Sequence, residues 1–209
     1  LSEGCDVFDT VLETHDHGSF NSWGRDRFWG GERSKTDEVV SENPDLPFLD
    51  AVTPTIIRNS RWRCDHGWDV DLDDGSTNYE IYNNVFLQGG LKLREGYRRI
   101  VTNNIGYNSS AHPHGWYKNS QDSLKNNIWM TAYRPARMPK DKWGGTSDKN
   151  LFPADFALKE AQEKGWDANS LVGDPMFIDP AKGDFRVHED SPALKLGFKN
   201  FPMDRFGVK

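Results

Sequence analysis

Apolar and polar positions along this chain recur in short blocks rather than in helical stripes. Four segments share one pattern: Ile57-Arg58-Asn59-Ser60, Ile81-Tyr82-Asn83-Asn84-Val85, Val101-Thr102-Asn103-Asn104-Ile105 and Leu124-Lys125-Asn126-Asn127-Ile128. The first Asn returns at steps of 24, 20 and 23 residues. Two positions before it stands a branched aliphatic, and two positions after it stand Val85, Ile105 and Ile128, with Arg61 the exception. A spacing of two is the strand period, so these apolar residues are expected to share a face. Cys5-Asp6-Val7-Phe8 reads as a degenerate earlier copy of Asn83-Asn84-Val85-Phe86. A step near 22 residues suits one coil of a β-solenoid, whose stacked rungs bury a continuous apolar column. Asn at a fixed place in each coil has its own reason. It tolerates the left-handed turn conformation, and its amide can bond to its copy one coil away.

The repeat lapses twice, and the two long loops are expected at about 30–51 and 134–170. Within the second, Ala154–Gly165 predicts one short amphipathic helix stopped by Gly165. The tail from Gly173 predicts two short strands with Pro-rich turns, closing the C-terminal end of the solenoid. The fold class expected is all-β: a right-handed parallel β-helix with inserted loops. Residues 1–209 are expected to form a single such domain, the C-terminal part of a longer solenoid, because few coils are visible. The start at Leu1, without Met or a signal peptide, implies processing or truncation.

Composition narrows the classes. With 19 Gly and 11 Pro and only 35% apolar residues, many short strands fit better than a helical bundle. A net charge of −6 argues against nucleic acid. No apolar run approaches the ~18 residues that a membrane span needs. Cys5 and Cys64 make neither a disulfide framework nor a zinc site. Eight Trp on a polar chain suit sugar rings as well as a core.

The Asn-Asn rungs, the CDHGWDVDLDDGS segment and the GDPMFIDPAKGDFRV…SPALKLGF tail resemble secreted bacterial right-handed parallel β-helix proteins. The resemblance runs from Cys5 to Val208 outside the two loops. It implies a secreted or periplasmic carbohydrate-active protein, of glycoside hydrolase or polysaccharide lyase type. No catalytic signature of one family matches residue by residue, so the fold is implied more specifically than the reaction.

Alignment of the coils on the Asn brings Gly67–Asp73 opposite Gly90–Arg94, with Ala111–His114 in the next coil. Alternation then sends Trp68, Val70, Leu72, Leu91 and Leu93 inward. Asp69, Asp71, Lys92, Arg94, His112 and His114 point outward, with Asp69 on Lys92 and Asp71 on Arg94. These six are the candidate catalytic residues. Two carboxylates at i and i+2 of a strand suit glycoside hydrolysis, a neighbouring cation separates their pKa values, and the histidines serve proton transfer. Asp16-His17-Gly18 repeats Asp65-His66-Gly67 and adds a rung, so Asp16, His17, Trp23, Arg25 and Trp116 are the candidate substrate-binding residues, joined by Arg27 and Trp29. No metal or cofactor is required, although Asp69, Asp71 and Asp73, beside Asp74 and Gly75, offer hard oxygen ligands for calcium. Three functions stay open at this point. They are a hydrolase on a poly- or oligosaccharide using Asp69 and Asp71, a lyase on a uronate polymer using Lys92 or Arg94, and a non-catalytic glycan-binding solenoid. In the last case the six groups are a solvated ion-pair ladder.

Overall fold

In the computed structural model, which describes residues 1–25 and 27–208, the chain is a parallel β-helix of about five turns. Asp26, inside the SFNSWGRDRFW segment, and Lys209 lie outside the described residues. Three parallel sheets run its length. The first joins Ser2–Glu3, Thr55–Arg58, Tyr79–Tyr82, Arg99–Thr102, Ser123–Lys125 and Thr146–Asp148. The second joins Asp6–Val7, Arg61–Trp62, Val85–Phe86, Ile105–Gly106, Ile128–Trp129, Leu151–Phe152 and Leu171–Val172. The third holds Gly18–Ser22, Trp68–Leu72, Leu91–Leu93 and Ala111–Pro113.

Ile57, Ile81, Val101 and Leu124 stand in register in the first sheet and are fully buried, as the repeat predicts. Asn59, Asn83, Asn103 and Asn126 all take the left-handed conformation, with φ between 48° and 58°. Their amides begin a ladder, Asn103 donating to Asn83 at 2.7 Å and Asn83 to Asn59 at 3.1 Å. The second Asn of each pair does more. Asn84, Asn104, Asn127 and Asn150 are buried, and each of the first three side-chain amides donates to the Oδ1 of the next at 3.0–3.1 Å. That oxygen also accepts the backbone N–H of the Asn before it, so the buried corner leaves no polar group open.

Several expectations need correction. The left-handed Asn turns the chain, so Val85, Ile105 and Ile128 do not share a face with Ile81 and Val101. They lie on the outer side of the second sheet, while Trp62, Phe86, Trp129 and Phe152 fill the interior. The first coil pairs Asp6 with Arg61 and Val7 with Trp62, one residue away from the Cys5–Phe8 alignment. Gly4, at φ +68°, therefore fills the place of Asn59, for the same left-handed reason. The region 134–170 is not wholly loop. Thr146–Asp148 and Leu151–Phe152 form a further coil that carries Lys149-Asn150 in place of Asn-Asn.

There are three helices among the described residues rather than one. Asp155–Glu163 agrees with Ala154–Gly165, and Gly165 ends it at φ +85°. Arg33–Glu42 lies in the first insert, and Pro192–Lys195 in the tail. The first insert hid its helix because only Val40 and Thr36 are buried there, too few for an apolar stripe. The tail does form two strands, Phe177–Asp179 and Asp184–Val187, but it does not close the C-terminal end. Ala157, Leu158 and Ala161 of the helix do that, packed with Trp166 and Phe152. The tail instead runs back outside the second sheet. Phe185, Val187, Leu196 and Phe201 cover Val85, Ile105, Ile128 and Leu151. Its carbonyls at Leu196 and Lys199 accept from Asn126 and Asn103, and Gly207 N–H reaches Gly4 O at 2.9 Å.

No helix of the described residues is long and apolar enough to cross a membrane.

Candidate functional site

The ionisable patch sits on the outer face of the third sheet, in a different register from the one expected. Asp71 pairs with Lys92, and Lys92 with His112. Arg134 follows, since its N–H bonds to Ala111 O and Ala136 bridges to His114. Asn21 precedes Asp71. The column is thus Asn21, Asp71, Lys92, His112, Arg134. Two residues on, Asp73, Arg94 and His114 form a second column. A constant offset from the Asn misplaced the first coil. Asp71 stands twelve residues after Asn59, whereas Lys92 and His112 stand nine after Asn83 and Asn103. The Cys64–Gly67 turn is longer than its counterparts.

Asp69 is consequently not the partner of Asp71. One of its oxygens accepts the Cys64 N–H at 2.6 Å, and the other accepts those of Gln88 and Gly90 at 3.1 and 3.0 Å. Gly89 permits this close pass, since a Cβ there would meet Asp69 N and Gly67 O at 2.5 Å. Burial still raises the Asp69 carboxyl to about 6 against those three amides. Its oxygens tie two turns together and are not presented to a ligand.

Asp71 and Lys92 are buried rather than outward in water, at 0% and 3% exposure, and meet at 3.1 Å. Lys92 also lies 3.5 Å from Asp73 and 3.7 Å from the exposed Asp16. The side chain of its register neighbour Asn21 also hydrogen-bonds to Asp71 and, with Lys92, favours the ionised form. Burial raises Asp71 to about 6 even though Lys92 opposes it. Burial acts on Asp73 in the same sense, but the Arg94 hydrogen bond at 2.9 Å and the Lys92 and Arg94 charges prevail and lower it. Arg94 continues to Asp74 at 2.7 Å and Glu95 at 3.2 Å, not to Asp71.

The two histidines are held neutral. Burial, with His114, Arg134 and Lys92, takes His112 down to about 4, and burial with Arg94, Lys92, Arg137 and Arg33 does the same for His114. His112 Nδ1 and both nitrogens of His114 are buried without a partner among the described residues. Buried unpaired polar atoms are uncommon in native folds. Three such atoms on two adjacent rings make this face the candidate site.

Trp68, expected inward, breaks the alternation. Its ring lies 4.5 Å from that of His112, with Arg134 5.3 Å from its centroid. It borders an open depression of about 390 Å³ with Asp16, His66, Gln88 and Arg134. At the other end, Arg25 lies 4.7 Å from the Trp23 ring and 4.6 Å from the Trp29 ring, and it bonds to Asp74 at 2.9 Å. Trp23 remains 59% exposed, with Arg25 over one face of its ring. Arg27 turns away to Asp50 at 2.8 Å. His17 contributes its carbonyl to the Trp68 N–H, and its side chain is exposed. Trp116 cannot bind a sugar ring. It is 2% exposed and donates its indole N–H to Leu93 O at 2.7 Å, a core role.

Calcium does not fit the acidic segment as anticipated. Asp69, Asp71 and Asp73 are engaged with amides, Lys92 and Arg94, and the three do not form a group close enough to share an ion. Among the described residues, the one group of three close enough to share an ion is the exposed His188, Glu189 and Asp190.

Sequence reasoning missed Arg134, which lay inside a supposed loop, although it stands eight residues after Asn126, near the offset of Lys92 and His112. No family model matches the chain, and neither curated proteins nor solved structures give a match.

Proposed function

We propose that the protein is a carbohydrate-active enzyme, a glycoside hydrolase whose carboxylate pair is Asp71 and Asp73. One observation carries this reading. Asp71, on the strand Trp68–Leu72, and Asp73, just past its end, share Lys92, yet the first is raised to about 6 and the second lowered. Divergent values in a pair of carboxyls are what acid and nucleophile require. Protonated Asp71 gives its proton to the glycosidic oxygen as the C–O bond breaks. Ionised Asp73 bonds to the anomeric carbon, or takes a proton from the water that does. Oxygens of both lie within 3.1 and 3.5 Å of one nitrogen, which brings them close and favours the retaining course, with carboxyls ~5–5.5 Å apart. The exposed Asp16 side chain lies on the solvent side of this pair, 3.7 Å from Lys92. Trp23 and Trp68 supply flat faces for sugar rings, and a secreted or periplasmic setting suits such a substrate.

A lyase is the second reading, favoured by the neutral histidines beside Lys92, Arg94 and Arg134. A neutral imidazole can remove the proton next to a uronate carboxylate that the cations neutralise, with β-elimination of the glycosidic oxygen.

The test is Asp71→Asn and Asp73→Asn, assayed by reducing-end release and by ultraviolet absorbance of unsaturated product on neutral and uronate polymers. Each substitution should lower the hydrolytic rate by about 10²–10⁴-fold. The wild-type rate should fall as pH rises through about 6, where Asp71 loses its proton. Unsaturated product, with a rate that rises through about pH 4 as His112 and His114 lose their protons, establishes the lyase instead. Full activity in both variants rules out this face as catalytic.

A further inference from the structure

We infer that this site takes a sugar carrying an anionic substituent, a carboxylate or a sulfate ester, held by Arg134 and Arg137. The inference rests on the carbohydrate reading and adds the class of sugar.

It comes from the charge balance of the face. Lys92 and Arg94 are matched by Asp71, Asp73, Asp74 and Glu95. Arg33, Arg134 and Arg137 have no carboxylate at ion-pair distance among the described residues. Arg134 is exposed and set against Trp68. Arg33 Nη1 donates to the Arg137 carbonyl at 2.9 Å, which draws these two residues together. Both act on His114, while Arg134 acts on His112. Like charges gathered without counter-charge are unfavourable, the more so beside a partly buried site. Asp16 and Asp65, which line the depression with Arg134, pair instead with Lys92 and Arg63. A bound anion reverses the cost, and guanidinium groups match carboxylate and sulfate oxygens in a bidentate way.

The unpartnered ring nitrogens, His112 Nδ1 and both of His114, lie beside these cations. A neutral imidazole offers one N–H and one acceptor, as a sugar hydroxyl beside the anionic group requires. The other rim of the depression limits the charge. Asp16 and Asp65 line it with His66 and Gln88, so the fit is to one anionic group beside uncharged ring surface rather than to a dense polyanion.

The experiment is calorimetric titration of the whole chain at low and at 0.3 M salt. The probes are oligosaccharides of galacturonate, of sulfated galactose and of uncharged galactose, with inorganic sulfate alone as a further arm. At least one charged oligomer should bind about tenfold more tightly than the neutral one, and salt should weaken that preference. The stronger of the two charged oligomers identifies the carboxylate or the sulfate. Arg134→Gln and Arg137→Gln should each lower the charged-ligand affinity about tenfold and lower the neutral-ligand affinity much less. Both residues are exposed, and an unshifted melting temperature checks the fold. If one variant fails to fold, the other and the salt dependence decide. Equal affinity for charged and neutral oligomers overturns the inference and leaves the carbohydrate reading standing. No binding of any oligosaccharide, or of sulfate alone only, removes both.

Discussion

The ammonium of Lys92 lies 3.1 Å from the carboxylate of Asp71, and neither side chain reaches solvent. A surface ion pair of this kind could be removed for about 0–1 kcal/mol. A buried one cannot, because the remaining charge stays in a poorly solvated place.

Lys92→Met is therefore expected to cost about 3–5 kcal/mol at pH 7, measured by urea unfolding. The loss should shrink toward pH 5, where Asp71, already raised to about 6, takes up a proton and needs no cation. Adding Asp71→Asn to Lys92→Met should recover most of the stability. A loss under 1 kcal/mol at pH 7 would show that the pair is solvated.

The histidines and the carboxyls oppose one another in acid. His112 and His114, near 4 in the fold, bind fewer protons than the unfolded chain below their ordinary value of 6.5. Their contribution to stability is complete above that value and is lost as pH falls toward 4. Asp69 and Asp71, near 6 in the fold against about 4 unfolded, bind more protons than the unfolded chain in much the same window, and they favour the fold as pH falls. Replacing both histidines by Gln removes the first effect and keeps the second. The variant should gain stability over wild type from pH 6.5 to pH 4, by about 1 kcal/mol or more per ring after discounting for solvent screening. Parallel stability curves for the two proteins would show that the rings titrate normally.

The two Asn of a rung should respond differently. Asn103 holds a left-handed turn at φ 57°, a conformation Gly takes freely, so Asn103→Gly should cost about 1 kcal/mol or less. Asn104 is buried and donates to Ile81 O, Thr102 O and Asn127 Oδ1. Asn104→Ala leaves those acceptors and the Asn84 amide short of a partner, at about 1–3 kcal/mol for each unsatisfied group. Thermal melting of both variants checks this, with Ile81→Ala, expected at about 2–5 kcal/mol, as the apolar reference. Equal losses at Asn103 and Asn104 would contradict the buried ladder.

What the sequence determined by itself is the coil. Ile57, Ile81, Val101 and Leu124 are stacked by a local rule, since each coil repeats the same strand and the same left-handed turn. The composition of the patch was legible for the same reason: Lys92 over His112 and Arg94 over His114 follow from two coils with equal offsets. Tertiary structure decided what passed through unequal turns. The longer Cys64–Gly67 turn set Asp71, not Asp69, against Lys92, and a step of two residues exchanges one ion pair for another without changing any face. It also decided which groups lie in water. Strand alternation says that Asp71 and Lys92 point away from the interior, but their burial comes from what covers the sheet, and that belongs to other parts of the chain. The same holds for the tail. Its apolar residues had to be covered, yet only the outward turn of Val85, Ile105 and Ile128 gave them a surface to cover.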